Sequence, residues 1–181
     1  MPLTNDNQMI ADSSFYLCFL EDIKRPDVLI SVLNKFELFI PPLVCREISV
    51  SSNFNSIQTH PKLTRYNGTF GEALRPFFSE KQVQKGETEV IGLAYDFFIK
   101  GNPKMLVLDD RQARSFVQRH LPGLQKLLTG TIGFVGDCYC KYAIFEKDYT
   151  LSLVMLICNS PFRVPKDVIS EVLDKINNSS G

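Results

Sequence analysis

The chain lacks an excess of either charge. Its 181 residues carry 20 Lys and Arg against 20 Asp and Glu. A protein that coats nucleic acid by bulk charge is thereby excluded, although a local basic patch is not. Histidine is scarce, with only His60 and His120 present. The five cysteines, at positions 18, 45, 138, 140 and 158, form no CxxC pair and no cluster with either histidine. That argues against zinc and for free thiols in a reducing compartment. Gly-rich loops of the GxGxxG or GxxxxGK type are missing, so nothing supports a nucleotide-binding role. Long hydrophobic runs are missing too. The charge-free stretch "YTLSLVMLICNSPF", 149–162, is too short to span a bilayer. The opening "MPLTNDNQMIADSS" has neither the basic start nor the apolar run of a secretory signal. These absences predict a soluble, cytoplasmic protein. Internal repeats and low-complexity tracts are absent as well.

What is present is a core. At 44% hydrophobic residues the chain suits one domain of ordinary size, here 1–181. "QMIAD" (8–12), "ELFIPP" (37–42) and "KMLVLDD" (104–110) read as short apolar strands. Helical spacing marks 13–22, 25–36, 42–50, 85–98 and 111–121. Segment 51–70 is polar and irregular, and 71–84 is mixed. Residues 125–145 start as a strand, turn at Gly130 and become a helix. Two helices close the chain within 149–177, and "NNSSG" reads as a frayed tail. Strands alternating with helices predict a central parallel sheet covered by helices. Ligands of such sheets sit at the carboxyl ends of the strands.

Carboxylates collect at those ends. Asp12 ends the first strand, and Asp109 and Asp110 end "KMLVL". Glu47 follows "ELFI" on a helix whose spacing turns it toward the packed side. Glu87 opens the helix "KGETEVIGLAYDFF" on the stripe of Ile91, Ala94 and Phe98, and Glu89 is expected to point away. Each acid alone suits a helix cap, a dipole partner or a surface pair. A cap needs no acid on an apolar stripe, however. Carboxylates converging in a half-buried place repel one another and lose solvation, and a divalent cation relieves both costs. An all-oxygen set favours Mg²⁺ or Mn²⁺, which usually serve phosphate chemistry.

At this point the chain resembles a known family. "MIADSS" (9–14), "IPPLVCREI" (40–48), "KGETEVIGLA" (85–94), "LVLDDRQAR" (106–114) and "GTIGFV" (130–135) are similar to the successive motifs of PIN domains. The match is closest to a prokaryotic subgroup related to the VapC toxin ribonucleases. It covers a core from about 9 to 145, and "PFRVPKDVISEVLDKI" is similar to the subgroup's closing helix. The resemblance implies a PIN-like α/β/α sandwich and a ribonuclease hydrolysing single-stranded RNA with Mg²⁺ or Mn²⁺ and no covalent intermediate. It assigns Asp12, Glu47, Glu87 and Asp110 to catalysis and metal binding. Asp109 stays an alternative metal ligand, because the register of the two neighbours is open. Ser14 and Thr131 take supporting places. The resemblance also implies a homodimer and, for a toxin, an antitoxin partner.

Lys62, Arg65, Lys85 and Arg111 are candidate RNA contacts, with Phe54, Tyr66, Phe70, Phe77 and Phe78 interleaved in 51–86. The same residues suit a solvated face over core phenylalanines. Arg114, four residues after Asp110, is spaced to pair with it. Two rival readings remain. One is a PIN-fold module that binds RNA or a protein and cuts nothing. The other is a phosphatase of the haloacid dehalogenase type, whose second Asp is replaced here by Ser14.

Overall fold

The computed structural model describes residues 7–179. Ser180 and Gly181 of the expected tail, and the first six residues, lie outside the described residues. Five strands form one all-parallel sheet: β1 (Gln8–Ala11), β2 (Glu37–Ile40), β3 (Leu63–Arg65), β4 (Met105–Val107) and β5 (Leu128–Thr129). Their spatial order is β3-β2-β1-β4-β5. Met9 pairs with Leu38 on one side and Met105 on the other. β1 is thus central and covered on both faces, which is why Met9, Ile10 and Ala11 are all apolar and fully buried.

Short helices connect the strands. Asp12 caps α1 (Ser13–Leu17), which widens into a π-helical turn over Cys18–Asp22. Pro26 and Pro42 start α2 (Pro26–Lys35) and α3 (Pro42–Ile48), where a missing N–H costs nothing. After β3 come α4 (Glu80–Val83) and α5 (Gly86–Ile99). α6 (Arg111–His120) and α7 (Pro122–Gln125) bridge β4 and β5. α8 (Thr131–Cys140), α9 (Lys147–Cys158) and α10 (Lys166–Asn178) close the chain. α5 lies against β1 and β4, and α2 against β2. Phe134 of α8 meets Phe15 and Phe36 edge to edge, at 5.7 and 5.5 Å between centroids. Asp137 of α8 is clasped by Lys141 and by Lys175 of α10, tying the last helix down.

The expected α/β/α sandwich is present. Two expectations change in detail. Segment 51–70, read as irregular, contains a 3₁₀ turn (Ser52–Ser56) and the edge strand β3. α8 stops at Cys140 rather than running to 145.

β1 leads rightward in sequence to β2 and β3, whereas β4 and β5 lie on its other side. The order therefore reverses between β1 and β4. A crevice opens there at the carboxyl ends; Asp12 directly follows β1, and Asp109 lies two residues past the end of β4.

Candidate active site

Asp12 is 2% exposed. Its Oδ1 accepts the Phe15 N–H at 3.1 Å and its Oδ2 accepts the Asp109 N–H at 3.1 Å. Both oxygens are therefore fixed, one by the helix it caps and one by the neighbouring strand end. Burial, then the charge of Asp109, push its carboxyl up to about 7, and Glu87 adds to the rise. Asp109 is held in turn by Thr131, which donates both its backbone N–H, at 2.9 Å, and its hydroxyl. Burial raises Asp109 as well, against the lowering pull of Thr131 and Arg114. The Arg114 guanidinium is bound to the Leu108 carbonyl at 2.8 Å.

Asp110 does something different. It is exposed and caps α6, accepting the Ala113 N–H at 2.7 Å. The register left open in the sequence is thus resolved in space: Asp109 faces Asp12, and Asp110 faces solvent. The expected pairing of Arg114 with Asp110 is replaced by its bond to Leu108 and its place beside Asp109.

Glu87 is half-buried in the first turn of α5, with Lys85 Nζ 3.6 Å away. It is close enough for its charge to act on Asp12. Glu89 overturns the expectation that it points away. It is 2% exposed, and its Oε2 accepts the Leu43 N–H at the start of α3 at 2.7 Å. The reason is that α5 is not one-sided: Thr88, Val90, Ile91, Leu93 and Ala94 are all buried. A second stripe, Glu89–Leu93–Phe97, therefore also faces inward. Burial, ahead of the charge of Glu47, raises the Glu89 carboxyl. Glu89→Gln keeps the acceptor and removes the buried charge, so its melting temperature at pH 8 should match or exceed wild type. Glu89→Ala orphans the Leu43 N–H, a loss of about 1–2 kcal/mol or roughly 3–6 °C. Thermal unfolding of the pair checks this, and equal losses in both would contradict the assignment.

Glu47 also departs from expectation. Val44 and Ile48 hold the packed stripe of α3, and Glu47 itself is exposed. Its carboxylate still reaches the N-terminus of α5: a Cβ added to Gly86 would lie 2.6 Å from Glu47 Oε2. Only glycine lets the two come so close.

Of the expected RNA contacts, Arg111 lies at the site, lining cavities that include Asp109. Lys62 instead binds the Asn34 carbonyl and Arg65 the Gln58 carbonyl over the Phe54 ring. Lys85 sits beside Glu87. Phe77 and Phe78 pack on Phe116. Ser14 lines the cavity next to Asp109. Arg163 shares both cavities with Arg111 and carried no signal in the sequence, because it sits in the irregular segment before α10.

The donors fit a hard divalent cation in type: carboxylates only, with Asp12 buried and Asp109 half-buried beside it. As placed, no three His, Cys, Asp or Glu side chains among the described residues gather round one point. Mg²⁺ asks for less than that, since it usually takes one or two carboxylates and keeps its waters. The Asp12–Asp109 pair therefore fits.

A family model described as a PIN domain matches residues 8–178. No curated protein matches the chain, and no solved structure does. Among the described residues no helix is long and apolar enough to cross a membrane.

Proposed function

We propose that this chain, which belongs to the PIN-domain family, is a metal-dependent endoribonuclease that hydrolyses phosphodiester bonds of single-stranded RNA. The supporting observation is the pair of Asp12 and Asp109. A buried carboxylate, Asp12, and a half-buried one, Asp109, lie side by side at the switch point of the sheet, each pinned by N–H donors. Left alone, such a pair is an electrostatic liability.

Asp12 and Asp109 would hold Mg²⁺ or Mn²⁺, with Glu87 and then Glu47 on the α5 side completing the site or holding a second ion. When bound, the ion brings positive charge to the phosphate oxygens and makes a water more acidic. The protein's own part is preorganisation. Phe15 and Asp109 N–H groups orient Asp12, and Thr131 orients Asp109, so neither carboxylate has to turn during reaction. Glu87, half exposed and within electrostatic reach of Asp12, would take up the proton of the attacking water where it does not itself hold the ion.

The narrower reading is a toxin ribonuclease related to the VapC proteins, working in the cytoplasm as a homodimer and countered by an antitoxin protein. Support for self-association comes from α9, where Met155 and Leu156 are exposed while Leu153, Val154 and Ile157 are buried. A second reading is a PIN-fold module that binds RNA or a partner without cutting. It draws on the absence, among the described residues, of a ready three-ligand cluster.

The test is a cleavage assay on mixed single-stranded RNAs with Mg²⁺, Mn²⁺ or EDTA. Cutting with either ion and none in EDTA is expected; no cutting under any condition leaves the non-cutting module in front. The same assay separates the two neighbours. Asp109→Asn should lose about a thousandfold in rate, whereas Asp110→Asn, which keeps a good helix cap, should stay within about threefold. The reverse pattern returns the role to Asp110.

A further inference from the structure

Asp109 and Ser14 line one side of an open cavity of about 540 Å³ whose other walls the catalytic reading does not use. Its walls come from distant segments. Leu17 belongs to α1, Asp22 to the π-helical turn, Arg111 to the start of α6, and Phe162 and Arg163 to the segment before α10. We propose that this cavity is a nucleobase pocket for the nucleotide adjoining the cut, and that it selects guanine over uracil. The proposal rests on the nuclease reading for which phosphate lies at Asp109, but the pocket itself is argued from its own walls.

The volume suits a nucleoside. Leu17 and Phe162 are half-buried apolar walls, and an aromatic ring is the usual platform for an unpaired base. Arg111 and Arg163 are exposed and form no ion pair among the described residues, so they are available to the phosphates on either side. They also offset the acids around the rim.

Asp22 supplies the selectivity. It is half-buried, and among the described residues its side chain has no hydrogen-bond or ion-pair partner. The π-helical turn accounts for its direction. Ile23 N–H bonds to the Cys18 carbonyl at 2.9 Å, the i→i+5 pattern of a widened turn. In an α-helix a residue five places after Leu17 would swing well off its face. In the widened turn Asp22 stays over Leu17 and shares its cavity. Burial and the neighbouring Glu21 raise its carboxyl, in keeping with a group short of solvent and of partners. Glu21 itself is engaged by the Ser51 hydroxyl.

A carboxylate offers two parallel acceptors. Guanine presents two donors side by side on its pairing edge, the ring N–H and the amino group, and satisfies both oxygens. Uracil presents two carbonyls around one N–H, so its oxygens face the carboxylate. Adenine and cytosine offer one amino group each and rank between.

The experiment uses the whole chain and two fluorescent single-stranded hexaribonucleotides that differ in one G→U replacement. Binding is read by anisotropy with Ca²⁺ in place of Mg²⁺. Wild type should prefer the guanine strand by about tenfold, one good bidentate pair. In Asp22→Asn the ratio should fall to about twofold or less. Phe162→Ala should weaken binding of the guanine strand about tenfold by loss of stacking. Melting temperatures of both variants guard against unfolding. Equal affinity of wild type for the two strands, or an undiminished ratio in Asp22→Asn, overturns the pocket. Cleavage of the same strands with Mn²⁺ keeps the two proposals apart. Cutting without base preference removes the pocket and leaves the nuclease; base-selective binding without cutting removes the nuclease and leaves the pocket.

Discussion

Replacing Asp12 by Asn is expected to reduce RNA cleavage by at least about a thousandfold while the protein stays folded. Asn is nearly isosteric and still caps a helix, so α1 survives. What changes is charge and one acceptor. In wild type both oxygens accept an N–H, from Phe15 and from Asp109. An Asn has one oxygen, so one of those N–H groups loses its partner, at about 1–2 kcal/mol. Against this stands the relief of a buried charge. The Asp12 carboxyl is pushed from 3.8 up to about 7 by folding. The native state therefore binds a proton that the unfolded chain releases. Stability of the metal-free protein should fall as pH rises from about 4 through about 7, by on the order of 4 kcal/mol if Asp12 acted alone. The relief is the larger of the two, so the melting temperature of the metal-free protein near pH 7 should rise rather than fall. The slope with pH is the sharper readout. In EDTA, wild type should lose several degrees between pH 5 and pH 8, and Asp12→Asn should lose much less. Adding Mn²⁺ at pH 8 should stabilise wild type by mass action and leave the variant unmoved. A variant that cuts RNA at the wild-type rate removes Asp12 from the mechanism.

β1, β2 and β4 and the first acid were legible because they follow from local rules. "QMIAD" is apolar through the buried strand residues Met9–Ala11 and turns polar where the strand ends. Asp12 is both the strand end and the helix cap, and either role marks it. The choice between Asp109 and Asp110 was not legible, because β4 stops at Val107 and either neighbour can cap α6 from sequence alone. What sets the two apart in space is the pair of donors that Asp109 receives from Thr131, 22 positions on, and its contact with Asp12. Glu89 was misread for a related reason. Helical spacing assigns one inward stripe, whereas a helix packed between a sheet and a covering loop buries two. β3 has three residues, of which only Leu63 is buried, too short for an alternating pattern. Asp22 was hidden because its place beside Leu17 comes from the π-helical turn, which the residue types of 18–22 do not announce. Local periodicity thus located the frame and the acid common to two roles. The residues that depend on one segment meeting another had no local signature.

The largest stability effect is expected from Gly92→Ala, in the middle of α5. Alanine is the better helix former by about 1 kcal/mol, so propensity alone predicts a gain. Packing predicts the reverse. A Cβ at this position would overlap the carbonyl oxygen of Phe70 and lie 2.6 Å from its carbonyl carbon. These are backbone atoms of the 3₁₀ turn Phe70–Leu74, which rests on α5 and cannot rotate aside like a side-chain tip. The turn is hemmed in by a second backbone contact, since Gly71 packs against the carbonyl of Val83, the last residue of α4. The whole covering segment would have to lift from α5. Overpacking of this kind costs about 3 kcal/mol or more, which in a chain of this size is a fall of about 10 °C in melting temperature. Gly101→Ala is the internal control. Gly101 has φ +71 and nothing within 4 Å, so alanine there meets only the left-handed backbone penalty, about 1–2 kcal/mol or roughly 3–6 °C. Activity should separate the two further. Lifting the covering segment disturbs α5, whose first turn carries Glu87 and faces Glu47, so Gly92→Ala should lose cleavage at temperatures where it is still folded. Gly101 lies at the opposite end of α5, and its variant should keep the wild-type rate. Equal melting shifts in the two variants would mean that α5 and its cover are held by something other than the close approach at Gly92.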